Sequence, residues 1–287
     1  MPATTAGPLR TRPPAGARER HYRTIPRQQL RFTRRDWGLV LAIVLAMCLF
    51  GWAVKKTMYH VTTPNYYADG LRAYSHGRWA TAYAAFETAL HFRPDYAPAL
   101  RRRAELDELI DHNFAAAAAG YRAFLAQPQP PAVAAAVYQR LAGCQAELGN
   151  YQQAENTYTH ALALDSTLAA AWLARGNVRL LGLQPSRPEA ALADLRRGLA
   201  LRTRRGQDPA WPAVQLRGLA LARLGRSTEA RAAYEQVLAA HPTDGRTHFL
   251  LGCLARQAGD PATACSWYRR AVALGYAYAR EAAAGCP

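Results

Sequence analysis

Gly149-Asn150-Tyr151-Gln152-Gln153-Ala154-Glu155-Asn156-Thr157-Tyr158-Thr159-His160-Ala161-Leu162-Ala163-Leu164-Asp165 recurs in degraded form through the C-terminal four fifths of the chain, at a period of about 34 residues. A unit of that length is one antiparallel helix pair. It cannot bury its apolar face alone, so copies stack into a one-dimensional solenoid. The register is carried by a small residue on the second helix, Ala82, Ala117, Ala154, Ala191, Ala230 and Ala264, followed one turn later by Phe86, Tyr121, Tyr158, Leu195, Tyr234 and Tyr268. Residues four apart share a helix face, so both sets turn toward the first helix of the pair. The fold class this predicts is all-α, a helical-hairpin solenoid of about six units.

The first helices carry a matching set: Tyr66 with Gly70, Tyr138 with Leu141 and Ala142, Trp172 with Gly176, Gly218, and Leu251 with Gly252. A mid-helix glycine costs about 1 kcal/mol against alanine, and its recurrence points to close helix approach. Gly77-Arg78-Trp79, Gly149-Asn150-Tyr151, Gly225-Arg226-Ser227 and Gly259-Asp260-Pro261 suit the inter-helix turns, and Pro94 and Pro242 close second helices. These residues resemble the tetratricopeptide repeat (TPR) family over residues 63–273. The second unit (Ala97 to Pro131) lacks the first-helix aromatic and glycine, and the fourth has its turn lengthened by Gly182-Leu183-Gln184-Pro185-Ser186-Arg187-Pro188-Glu189. The last unit, with Ala264-Cys265-Ser266-Trp267-Tyr268 and Gly275-Tyr276-Ala277, is similar to a Sel1-like repeat. Tyr278 to Ala284 then reads as a capping helix, placing the repeats at 63–275 and the cap segment at 276–287.

Before the repeats, Trp37 to Val54 is an uncharged apolar run between Arg34-Arg35-Asp36 and Lys55-Lys56. Its 18 residues span about 27 Å as a helix, close to a bilayer core. Trp37, Trp52 and Tyr59 fall where aromatic rings favour the membrane interface. Residues 37–54 are therefore expected to cross a bilayer, with 55–62 as a linker. The 1–36 arm holds nine arginines against Glu19 and Asp36, interspersed with prolines, and is expected to be disordered. Its charge puts the N-terminus in the cytoplasm and the repeats beyond the membrane, by the positive-inside rule. Attraction to anionic lipid is a second reading of the arm. Abundant arginine over lysine suits a GC-rich bacterial genome, and the expected location is a bacterial inner membrane with the repeats in the periplasm.

The formal charge of +16 is shared between the arm and the rest. Arg101-Arg102-Arg103 and the set Arg196, Arg197, Arg202, Arg204 and Arg205 are the local concentrations; they read either as solvated faces or as receptors for an acidic partner. No basic face with base-stacking aromatics accompanies them, so nucleic acid is not an expected partner. Among five cysteines, Cys265 and Cys286 lie symmetrically about Gly275-Tyr276. An antiparallel hairpin there would bring them side by side, and in an oxidising compartment a disulfide would pin the cap.

The eight histidines form no metal-ligand spacing, and neither a nucleophile elbow nor a phosphate loop appears. No catalytic residue, metal or cofactor is expected. By the family resemblance, the partner-binding groove is lined by first-helix positions that here include Gln139, Asn177, Gln215, Arg246, Phe249 and Arg256. Asn177 in Arg175-Gly176-Asn177-Val178 is similar to the asparagine with which some TPR proteins grip a peptide carboxylate, but the accompanying lysine positions hold Leu173 and Pro212. The chain therefore reads as a membrane-anchored scaffold for a protein or peptide partner. Two other readings stand beside it: a cytoplasm-facing regulatory protein, and a homo-oligomer assembled through Trp211, Trp267 and Tyr276 to Tyr278.

Overall fold

A computed structural model describes residues 34–286, and among the described residues all regular structure is helical. The arm expected at residues 1–36 lies outside the described residues, except for the backbone of its last three, which opens the first helix. The chain divides into two units, residues 1–54 and 55–287.

Helix α1 is assigned to Arg34–Ser75. In the first unit its large side chains, among them Leu39, Met47 and Phe50, are exposed. Among the described residues this one helix is long and apolar enough to cross a membrane, with a mean hydropathy of 2.3 in its most apolar stretch. Residues 55–62, read above as a linker, are helical. Neither glycine nor proline falls among them, and Pro64 stands just beyond, inside the same helix.

In the second unit the end of α1 pairs with α2 (Trp79–Phe92). The following hairpins are α3 (Ala97–Leu109) with α4 (Phe114–Leu125), and α5 (Pro131–Glu147) with α6 (Tyr151–Leu164). Then come α7 (Ala169–Asn177) with α8 (Pro188–Arg204), α9 (Trp211–Arg223) with α10 (Ser227–Ala240), and α11 (Gly245–Gln257) with α12 (Pro261–Ala273). The short α13 (Ala279–Ala284) ends the series. The end of α1 packs on α2 through Gly70 against Phe86 and Tyr66 against Phe92; from α2 onward each helix packs on its sequence neighbours, and the first helices α7, α9 and α11 also touch in turn. This is the nearest-neighbour architecture of a TPR-type solenoid of six hairpins.

Why these residues make hairpins is visible at each turn. Gly149 takes φ +76°, a left-handed conformation that costs glycine nothing. It lets the Asn150 N–H donate to the Gln145 carbonyl (2.8 Å) and its own N–H to that of Ala146 (2.9 Å), which caps α5. Gly77, Gly225 and Gly259 repeat the arrangement. In the irregular second hairpin a non-glycine residue, His112 at φ +50°, stands in the turn, and the Asn113 N–H reaches the Asp107 carbonyl at 2.7 Å.

The two expected rows form the core. All six marker alanines are buried, and Phe86, Tyr121, Leu195, Tyr234 and Tyr268 are at most 1% exposed; burial of each such side chain is worth about 1.5–3 kcal/mol. First-helix glycines receive the rings: a Cβ at Gly252 would lie 2.5 Å from the Tyr268 ring, and one at Gly176 would lie 2.9 Å from Leu195. In the second hairpin the small residue has changed helices. Gly120 of α4 faces Ala104 of α3, where a Cβ would meet it at 2.8 Å. The long fourth turn is reached through a π-helical turn, Val178–Gly182, in which the Leu183 N–H donates to the Val178 carbonyl at 3.0 Å. Its Leu180 carbonyl accepts from Arg223 of α9 at 2.5 Å, so the irregular backbone is tied to the next hairpin.

Candidate partner-binding face

Five of the six expected groove residues lie at exposed or half-buried positions on the first helices α5, α7 and α11. Asn177, Arg246 and Arg256 are exposed, and Gln139 and Phe249 are half-buried. Gln215 is a correction: it is 7% exposed and donates to Asp244 Oδ2 (2.5 Å) and Thr247 Oγ1 (2.7 Å) of the next first helix. Asp244 also caps α11, accepting from the Thr247 N–H at 2.9 Å. Gln215 thus joins α9 to α11 instead of facing a ligand. Spacing puts it on the first-helix face, but packing of neighbouring first helices closes over that position. Leu173 packs with the buried Leu195 and Leu199 cluster.

Phe249 and Arg256 come together at the C-terminal end. They line a cavity of about 510 Å³ with Tyr268, Tyr278, Glu281 and the Cys265–Cys286 pair. Phe249 lies 5.6 Å from the Tyr268 ring and 5.5 Å from that of Tyr276. The Arg256 guanidinium lies 5.8 Å from the Tyr268 ring centre. Cys265 and Cys286 are bonded in the structure, with Cα atoms 5.6 Å apart, linking α12 to the second residue after α13. Of the aromatics read above as a self-assembly surface, Tyr278 is fully displayed at 80% exposure, while Trp211, Trp267 and Tyr276 are half-buried.

A charged network inside the stack was not foreseen from the sequence. Asp194 of α8, 2% exposed, accepts from Arg175 Nε and Nη2 at 2.8 Å each and from Arg179 Nη1 at 2.8 Å. Arg179 Nε also donates to Glu155 (2.8 Å), which accepts from Arg187 at 3.0 Å. Arg175 further reaches Thr159 Oγ1 (3.0 Å) and lies 4.8 Å from the Trp172 ring centre. Burial opposes ionisation of Glu155, but the Arg179 hydrogen bond and the Arg179 and Arg187 charges outweigh it and hold the carboxyl below its ordinary range. A legible sign existed: Asp194 sits in the row Ala191, Leu195, Gly198 that the period assigns to the core, where a carboxylate needs a cationic partner. Burial raises the Cys144 thiol to about 12, which keeps it an unreactive core filler.

The two arginine concentrations resolve differently. Arg101 and Arg102 pair with Glu105 at 3.0 and 2.7 Å and Arg103 with Glu87 at 2.6 Å, so that run serves the stack. Arg202 and Arg205 bind the carbonyls of Asp208 and Thr167. Arg196 faces Glu229 at 3.6 Å. No group of three or more metal-ligating side chains is present among the described residues.

Comparison with known proteins fits this architecture. Tetratricopeptide-repeat family models match residues 135–168 and residues 211–252. No curated protein matches the chain. Solved structures with the same fold include that from the functional characterisation of Pseudomonas aeruginosa pilF, at 21% identity and TM-score 0.56 over 77% of this chain and 95% of that one. YrrB, described as a TPR protein with an unusual peptide-binding site, aligns at 20% identity and TM-score 0.56 over 69% of this chain and 97% of its own. The APC/C hetero-tetramer Cut9–Hcn1 aligns at 16% identity and TM-score 0.58 over 81% of this chain, which spans only 45% of that one. The chain thus carries tetratricopeptide repeats at α5–α6 and α9–α11, set in a TPR-like solenoid with the same hairpin packing on either side of them.

Proposed function

We propose that the protein is a non-enzymatic scaffold, anchored in a bacterial inner membrane through residues 37–54, whose repeats hold a partner protein in the periplasm. The partner lies along the first-helix face as an extended or helical segment, contacted by several hairpins at once. The observation that carries this reading is the exposure of Asn177, Arg246 and Arg256 on first helices, side chains without a structural ion pair in a fold that serves protein interaction. YrrB supports it by analogy, since a peptide-binding site is described for that protein of the same fold. The apolar run and the arginine-rich arm support anchorage and orientation, and the Cys265–Cys286 pair suits an oxidising compartment. Anchoring would raise the local concentration of repeats near partners at the membrane.

In-cell photocrosslinking tests the proposal. A photoreactive residue placed at Asn177 or Arg246 in the full-length chain should give a discrete crosslinked partner band. The same residue at Glu235, exposed on the second helix α10, should not. Equal crosslinking from both faces, or none from either, would remove the groove reading.

A further inference from the structure

A second recognition site lies away from the first-helix row, between α2 and the end of α3. Trp79 and Tyr83, one turn apart on α2, face Leu106 of α3 and Ile110, the residue that ends it. With Ala80, Ala84 and Asp111 they line a cavity of about 530 Å³. Its surroundings are acidic on a chain whose formal charge is +16. Asp111 is in the wall. Asp107, one turn before it, is 2% exposed and its Oδ2 has no hydrogen-bond partner. Glu87 lies one turn beyond Tyr83 on α2. The cation nearest these groups is Arg103, which bonds Glu87 at 2.6 Å and stands 3.7 Å from Asp107. Three carboxylates therefore face one guanidinium. The field registers on the Tyr83 hydroxyl, which is raised first by burial and then by Asp107, Glu87 and Asp111, with Arg103 alone opposing. Two of the lining side chains, Trp79 and Ile110, remain 38% and 41% exposed, apolar surface of the kind that borders a buried anchor side chain.

We infer that this cavity receives an arginine side chain from a protein partner. An anion would meet the Asp111 carboxylate and the field of Asp107 and Glu87, and a purely apolar anchor would leave Asp111 desolvated without a partner. An arginine satisfies both parts: its aliphatic stem lies along Leu106 and Ile110, and its guanidinium meets the Trp79 and Tyr83 rings and the Asp111 carboxylate. The exposure of Trp79 and Ile110 favours a protein surface over an isolated small cation, because only the former covers both together with the anchor. This site shares no residue with the first-helix groove, so either can fail without the other.

The test uses the full-length chain in phosphatidylcholine nanodiscs and the peptide Leu-Ala-Arg-Ala-Leu-NH2 carrying a fluorophore on its N-terminus, read by polarisation. The arginine peptide should bind about tenfold more tightly than its glutamine counterpart, and the exposed change Asp111→Asn should remove most of that preference. Asp208→Asn, on a distant turn, should leave it intact, and circular dichroism should show unchanged helix content in both variants. Trp79→Ala should weaken the arginine peptide about three- to tenfold. The inference is overturned by equal binding of the two peptides, by an unchanged preference in Asp111→Asn, by no binding of the arginine peptide, or by polarisation that empty nanodiscs reproduce.

Discussion

Replacement of Asp194 by alanine tests how the fourth hairpin is held. The carboxylate accepts three hydrogen bonds from two guanidiniums, and Arg175 is only 7% exposed. Removing one partner of a buried ion pair costs about 3–5 kcal/mol, mostly from the charge left behind. Arg179 keeps Glu155, and Arg175 keeps Thr159 and the Trp172 ring, so the lower end, about 3 kcal/mol, is expected. In a solenoid the loss stays local, and hydrogen exchange of the full-length chain resolves it by segment. Amides of α7 and α8 should exchange roughly a hundredfold faster, at about 1.4 kcal/mol per decade, while α11 and α12 should be unchanged. The paired change Arg175→Met with Asp194→Leu should recover most of the protection, since an apolar pair of similar volume replaces the ion pair without a stranded charge. Exchange in α7–α8 within threefold of the parent after Asp194→Ala, or no recovery in the double variant, would refute the reasoning.

Gly252→Ala drives a Cβ to 2.5 Å from the Tyr268 ring, whereas Gly143→Ala meets only the Tyr158 hydroxyl at 3.7 Å. The helix-propensity gain is common to both, so thermal melts should place Gly252→Ala about 1–3 kcal/mol below Gly143→Ala. Asp107 titrates above its ordinary value of 3.8, chiefly through burial, with Arg103 pulling the other way. A carboxyl whose folded pKa is raised stabilises fully below its unfolded value, and that stabilisation drains as pH rises through the folded value. Asp107→Asn should therefore melt higher than the parent near neutral pH, with the gap closing below about pH 4. Glu155, held low, has the opposite sign: its contribution is present above the ordinary value of 4.5 and is lost as pH falls through the folded one. Glu155→Gln should accordingly remove part of the acid-induced loss of α6–α8 protection. Reduction of the Cys265–Cys286 bond opens a loop of 21 residues, for which chain entropy gives about 3 kcal/mol, and mass-resolved hydrogen exchange should show faster exchange confined to α12 and α13.

The solenoid was legible because its determinants are local and repeated. The Ala82-to-Ala264 row, the ring one turn later and the turn glycines each report on one hairpin, and six copies reinforce one another. The second hairpin was harder to see because Gly120 on α4 and His112 in the turn do the work of a missing first-helix glycine and turn glycine. The candidate binding face was legible only in part. Spacing selects the first-helix side for Gln215 but says nothing of the neighbouring helix, and Asp244 and Thr247 come from the next hairpin to bury it. The Arg175, Asp194 and Glu155 network and the Trp79 to Asp111 cavity likewise arise between elements, from residues 15 to 32 apart in the chain. Only stacking reveals such meetings.

The central claim, an anchored scaffold with its repeats outside the cytoplasm, is tested most directly by C-terminal fusions in intact cells. Alkaline phosphatase, active only after export, is fused to one copy of the full-length chain, and green fluorescent protein, fluorescent when folded in the cytoplasm, to another. The account predicts phosphatase activity without fluorescence, with Cys265 and Cys286 blocked to alkylation until reductant is added. Fluorescence without phosphatase activity, with both thiols freely alkylated, would contradict it.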